Sequence, residues 1–178
     1  MLKAIQAFDE RVSIYLVRHR FSPRLHKGLQ WYTRLGDGYV WALVIGYLFW
    51  QYPQPEVWMM VKRSFLAAGI SLFLYMAIKY SVRRMRPFEK LKNISAEVPP
   101  LDAFSFPSGH TMNNLAVGFT LAVLAPEIGW IVVIMPISWG ALRVYFGVHW
   151  LTDILAGMLL AAASYAIAAA VWMHWFAG

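Results

Sequence analysis

Three short stretches carry residue types that could act together. The first is Lys79-Tyr-Ser-Val-Arg-Arg-Met-Arg86-Pro87. Lys79 and Arg86 are seven residues apart, two helical turns, and would share one face of a helix that Pro87 stops. The second is Phe106-Pro107-Ser108-Gly109-His110. Ser108 can cap a helix, Gly109 lets backbone N–H groups approach a ligand closely, and a helix start beside a hydroxyl and an imidazole suits an anion. The third runs from Arg143 to His149 and Asp153. At i,i+4 on a helix, the carboxylate reaches the imidazole, fixes its tautomer and makes the other ring nitrogen a better nucleophile or base. Each stretch also has a plainer reading. These are a cationic cap for lipid headgroups, a Pro-Ser helix start, and a satisfied polar pair. Together they supply three fixed cations, two imidazoles and a carboxylate. That inventory suits phosphoryl transfer in which Lys79, Arg86 and Arg143, and no metal, neutralise the phosphate oxygens.

The elements that must position these groups follow from composition. Of 178 residues, 60% are hydrophobic and 14% charged, and the mean hydropathy is +0.50. A soluble domain is nearer about 45–50% apolar and about 25% charged, so an ordinary soluble enzyme is excluded, as is a disordered tail. A net charge of +7 in so apolar a chain suits anionic lipid, with no nucleic-acid partner expected. The absence of cysteine removes disulfides, thiolate metal sites and cysteine nucleophiles. Apolar runs at 38–52, 60–83, 108–125, 128–147 and 150–176 are candidate spans, broken by prolines and flanked by tryptophans such as Trp50, Trp58, Trp130, Trp150, Trp172 and Trp175. Residues 2–20 place Leu2, Ile5, Phe8, Val12, Tyr15 and Leu16 near helical spacing, which predicts an amphipathic helix in the membrane interface. A sixth span there would have to bury Arg18, His19 and Arg20. Residues 1–36 carry charges throughout, so no cleavable signal segment is expected.

The predicted fold is therefore all-α: an integral membrane helical bundle with five to six transmembrane helices. It is expected to form one domain over 1–178, with an amphipathic N-terminal segment (1–36) and a transmembrane core (37–178). In this topology the second span ends at the first stretch, and the polar 88–107 connection stays on that face. The third span starts at the second stretch, and the fourth returns Arg143 and His149. All three stretches then meet on one side.

The pattern K-x6-RP, then PSGH, then R-x5-H-x3-D resembles the type 2 phosphatidic acid phosphatase (PAP2) superfamily, which includes glucose-6-phosphatase and the vanadium haloperoxidases. The motifs bracket residues 79–153. One departure is Leu142, where the family usually has Ser before the third-motif Arg. The resemblance implies that His149 attacks phosphorus and forms a phosphohistidine, oriented by Asp153. His110 then acts as general acid and activates the hydrolytic water. Lys79, Arg86, Arg143, Ser108 and the backbone at Gly109 hold the phosphate, with no cofactor or metal. It further implies a lipid phosphate substrate such as phosphatidylglycerophosphate, undecaprenyl pyrophosphate or phosphatidic acid, and no obligate protein partner. A phosphotransferase or a non-catalytic lipid-phosphate binder remains as an alternative.

Several neighbouring residues receive plainer expectations. Arg83 and Arg84 should touch headgroups, and His19, His26 and His174 should be interfacial. Asp37 should cap the first span, with a role in the site as the lesser alternative that the resemblance offers. Orientation is contested. Seven basic residues in 1–36, six in 79–92 and Arg143 would share the catalytic face, which points it to the cytoplasm. The resemblance points it outward from a bacterial inner membrane, and that is the orientation adopted.

Overall fold

Proline and glycine punctuate the computed structural model, which describes residues 2–176. The elements in order are α1 (Leu2–Arg18), α2 (Pro23–Arg34), a 3-10 turn (Leu35–Asp37), α3 (Tyr39–Gln51), α4 (Gln54–Val82), α5 (Pro87–Lys90), α6 (Gly109–Leu124), α7 (Pro126–Tyr145) and α8 (Leu151–Trp175). No strand occurs among the described residues. Helices α2, α4, α5 and α7 all open on a proline in the first turn, where the missing N–H has no intrahelical partner to lose. Pro87 thus begins a helix instead of stopping one. The preceding helix ends at Val82, where Arg83 turns left-handed at φ 50°. Lys79 and Arg86 therefore do not share a helix face, and they meet because the chain bends back.

Helix α6 is central and packs on α4, α7 and α8. Backbone-to-backbone approach is what lets it serve three neighbours, as small residues do where helices meet in apolar surroundings. Gly118 faces the Val132 carbonyl of α7, and Gly157 of α8 lies against the Ser108 carbonyl and Thr111. Buried side chains Leu48, Val57, Met60, Leu121 and Val132 fill the far end of the bundle. Val98, Tyr145, Phe146 and Val148 fill the end near the loops. Large apolar side chains such as Leu43, Phe65, Phe73, Ile134 and Leu159 point outward, as in a bundle solvated by lipid. Segments Gln54–Lys90, Pro126–Tyr145 and Leu151–Trp175 are long and apolar enough to cross a membrane. Helices α3 and α6 have only 13 and 16 residues.

The amphipathic helix forms as α1, but one face of it is committed to protein. Asp9 and Ser13 are fully buried. Asp9 accepts the Thr152 N–H at 3.0 Å, so it caps α8 from another helix, and it also pairs with Arg84 at 2.6 Å. Trp150 is likewise no interfacial aromatic. It is 2% exposed and its indole N–H donates to the Met85 carbonyl at 2.8 Å. His26 is not a free interfacial side chain either, since its ring bonds the Tyr145 hydroxyl and Glu97, each at 3.0 Å.

Widening Gly118 should separate α6 from α7. Gly118→Val is expected to lower stability by about 1–3 kcal/mol, read as thermal unfolding in detergent. Gly69→Ala, where a methyl meets open space inside α4, should leave the midpoint unchanged or raise it, since alanine favours the helix by up to about 1 kcal/mol.

Candidate active site

The end of α4 and the segment after it deliver the cations. Lys79 Nζ donates to the Asp102 carboxylate at 2.8 Å and to the Phe104 carbonyl at 2.7 Å. Arg86 donates to the same carboxylate oxygen at 2.8 Å, to the Asp102 carbonyl, and to the Val148 carbonyl at 2.7 Å. Tyr75 also donates its hydroxyl to Asp102. The Lys79 and Arg86 side chains are almost fully buried. Asp102 therefore shows that the pair can hold an oxyanion. Burial alone would raise the Asp102 carboxyl, but hydrogen bonds from Lys79 and Tyr75 and the charges of Lys79 and Arg86 outweigh it and hold it below the usual range. Asp102 lies in the polar 88–107 loop, where no periodicity marks one acid above its neighbours.

His149 and Asp153 lie side by side, though not on one helix. His149 is in the turn before α8, and Asp153 is in the first turn of α8, with 3.5 Å between Nδ1 and Oδ2. Asp153 is held elsewhere at closer range: Oδ2 accepts the Trp150 N–H at 2.8 Å and Oδ1 accepts from Arg84 at 2.6 Å. Arg84 is thus no headgroup contact. It bridges Asp9 and Asp153, both fully buried. The sequence signal was its i,i+2 spacing from Arg86, which matters only if the chain there is extended. The Nε2 side of His149 faces Arg86, at 3.4 Å. Burial pushes His149 down to about 4, with Arg86 and Arg143 helping and Asp153 opposing.

The second stretch joins the same cluster. Ser108 occupies the position before α6 but makes no side-chain cap. Its N–H donates to the Asp153 carbonyl at 3.2 Å, and its hydroxyl accepts from Thr111 at 3.2 Å. Gly109 lies against the Tyr75 ring, where a Cβ would come within 2.9 Å. His110 Nε2 bonds Asp37 at 2.8 Å. Asp37 does not cap α3, which follows Gly38 with no side-chain cap. Burial raises the Asp37 carboxyl, opposed by Arg143 and Arg34. Arg143 is buried, donates to the Pro99 carbonyl at 3.1 Å, and keeps Nε without a partner among the described residues. Leu142, beside it, packs in the apolar cluster of Tyr145 and Val148. No group of three His, Asp or Glu side chains among the described residues is placed to hold a metal ion. The groups suited to oxyanions are Lys79, Arg86 and Arg143.

Residues 60–177 match the model of the PAP2 superfamily. The chain is 30% identical over 129 residues to the undecaprenyl-diphosphatase of Sulfolobus acidocaldarius, covering 72% of this chain and 61% of that protein. It thus spans less than two thirds of that relative's length. It is also 30% identical to phosphatidylglycerophosphatase B of Bacillus subtilis, over 88% of this chain and 79% of that one. The crystal structure of a transmembrane PAP2-type phosphatidylglycerolphosphate phosphatase from Bacillus subtilis superposes with a TM-score of 0.72 at 25% identity, covering 97% of this chain and 88% of that one.

The His149 environment carries an acid sensitivity. Folded, it takes up a proton only near pH 4, against 6.5 for the ordinary imidazole. The unfolded chain binds that proton first, so stability falls as pH drops from about 6.5 toward about 4. Between pH 7 and pH 5 the wild type should lose more thermal stability in detergent than His149→Gln, which carries no such proton.

Proposed function

Because the chain belongs to the PAP2 superfamily, we propose that it is a metal-independent membrane lipid phosphatase working through a phosphohistidine. The observation that carries this reading is the approach of Arg86 to His149 Nε2, with Asp153 at the other ring nitrogen and Lys79 joined to Arg86 through Asp102. In this reading His149 Nε2 attacks phosphorus while three fixed cations hold the equatorial oxygens. Such groups stabilise charge as it develops because they are already oriented. His110 protonates the leaving oxygen and then takes a proton from water. Ser108 and the Gly109 backbone complete the phosphate cradle, with no cofactor.

The substrate is a lipid phosphate, with undecaprenyl pyrophosphate and phosphatidylglycerophosphate first among candidates and phosphatidic acid next. Supporting this, an apolar groove lined by Trp41, Val44, Leu48, Val61, Phe65 and Val117 lies between α3, α4 and α6, and Trp41 bonds Asn114 at the edge of the site cavity. Residues 1–178 act as one domain. Helices α3 and α6 complete five spans, α1 rests at the membrane interface, and the site opens to the outer face of a bacterial inner membrane.

Purified protein in detergent with EDTA, given a panel of lipid phosphates, should release inorganic phosphate. His149→Ala should abolish release, and His110→Ala should lower it about 10²–10⁴-fold. Near-native release by His149→Ala overturns the assignment. Phosphate appearing on a second lipid makes the protein a phosphotransferase, and neither product makes it a binder. For orientation, a cysteine introduced within 90–100 should react with an impermeant reagent on intact cells. Reaction only after lysis reverses the outward placement.

A further inference from the structure

His110 has a carboxylate of its own. Asp37 Oδ1 lies 2.8 Å from His110 Nε2, although the two residues are 73 positions apart. We propose that Asp37 is a positioning residue for His110, forming a second histidine–carboxylate pair that serves the leaving group and the hydrolytic water. The inference rests on the phosphatase reading above.

The surrounding structure is built to hold this contact. Gly36 presses on the imidazole, and a Cβ there would come within 2.8 Å of His110 Cδ2 and 3.0 Å of the Trp139 ring. Asn114, one helical turn after His110, donates to the Gly36 carbonyl at 3.0 Å and to the His110 carbonyl at 2.9 Å. Its own carbonyl accepts the Trp41 indole N–H at 2.5 Å. One amide therefore clamps the turn bearing Asp37 to the helix bearing His110. Gly38, at φ 115°, reverses the chain directly after Asp37, so the carboxylate faces the bundle and not the start of α3. The other carboxylates of the cluster are not available: Asp153 is taken by Arg84 and the Trp150 N–H, and Asp102 by Lys79, Arg86 and Tyr75.

Position assigns the task. Asp37, His110, Tyr75, Leu101 and Asn113 line a cavity of about 280 Å³. The His110 side chain is 3% exposed and that of Asp37 is 29% exposed, so the pair stands at the edge of space that can hold an alcohol or water. Asp37 occupies Nε2, which leaves Nδ1 to exchange the proton. In the first step a His149 Nε2–P bond forms, the P–O bond to the leaving oxygen breaks (an alcohol from a monoester, the lipid monophosphate from a diphosphate), and that oxygen takes the proton from His110. In the second, a water O–P bond forms, the N–P bond breaks, and His110 recovers a proton from the water. Asp37 keeps its negative charge throughout and stabilises the cationic form of His110. Arg143 and Arg34 act on Asp37, and they lower the proton affinity of the pair without supplying a proton.

Rapid-quench kinetics on Asp37→Asn and Asp37→Ala can compare two substrates. One is an alkyl lipid phosphate, whose leaving oxygen needs a proton. The other is nitrophenyl phosphate, whose phenolate leaves without one. First-turnover alcohol release from the lipid should slow about 10–100-fold, while nitrophenolate release stays within about threefold. Labelled phosphohistidine should persist longer than in the wild type, and Asp37→Glu should restore most of the lipid rate. Equal slowing of both substrates, or slowing of neither, overturns the proposal. The nitrophenolate burst itself reports that a variant is folded. Failure of wild-type protein to label His149 or release phosphate would instead defeat the phosphatase reading, and this one with it.

Discussion

The rest of the structure depends on holding positive charge inside one end of an apolar bundle. Lys79, Arg86 and Arg143 are nearly inaccessible. An unpaired buried ion carries a desolvation penalty of several kcal/mol. The chain meets this with few acids, each shared. Asp102 serves Lys79, Arg86 and Tyr75, while Asp9 and Asp153 together serve Arg84. Backbone carbonyls of Phe104, Val148 and Pro99 take further donors. Those carbonyls are free because they belong to loops and not to helices, so the irregular 88–107 segment and the turn before α8 are requirements of the charge cluster.

The same constraint explains the break after Val82. A continuing helix would direct Arg84 and Arg86 about 200° apart around its axis. The left-handed Arg83 instead starts an extended stretch, in which residues two apart point to the same side. Arg84 and Arg86 then bracket the His149–Asp153 pair, one at Asp153 Oδ1 and the other near His149 Nε2. Met85, between them, is exposed. Ser105 fixes the stretch by donating to the carbonyls of Arg84 and Met85, and Trp150 adds its indole N–H. Three stretches distant in sequence are thus tied at one backbone segment.

The convergence of Lys79, Arg86, His110, Arg143, His149 and Asp153 was legible in the sequence because it needs only residue type and the alternation of apolar runs. The five apolar runs reappear as α3, α4, α6, α7 and α8 within two residues at each end, except that α4 starts six residues early, at Gln54. What stayed hidden depends on partners far along the chain. Asp9 meets Arg84 across 75 positions and Thr152 across 143. Arg20 and His26 meet Glu97. None has a local period. A weak signal did exist in α1, where Asp9 and Ser13 fall one turn apart on a face that also carries Leu16. A carboxylate on such a face requires a cation or a helix end to receive it. The predicted caps failed separately: Asp37 bonds His110, and the Ser108 hydroxyl accepts from the Thr111 hydroxyl and caps no backbone N–H.

The two histidine–carboxylate pairs differ in the setting of the carboxylate, and the difference suits the tasks they carry in the phosphatase reading. A nucleophile must be neutral before it attacks. His149 is enclosed, and burial among Arg86 and Arg143 keeps its proton affinity low. The carboxylate 3.5 Å behind it is drawn toward Arg84, so it steadies the ring without forcing a proton onto it. An acid–base group has the opposite need. It must gain and lose a proton within one cycle, which requires contact with the leaving group and with water. His110 borders a cavity, and its carboxylate is partly open to that cavity and raised by burial above an ordinary carboxyl. The two pairs therefore differ in their carboxylates and not in their rings: both imidazoles are 3% exposed, whereas Asp153 is closed off and Asp37 is 29% exposed.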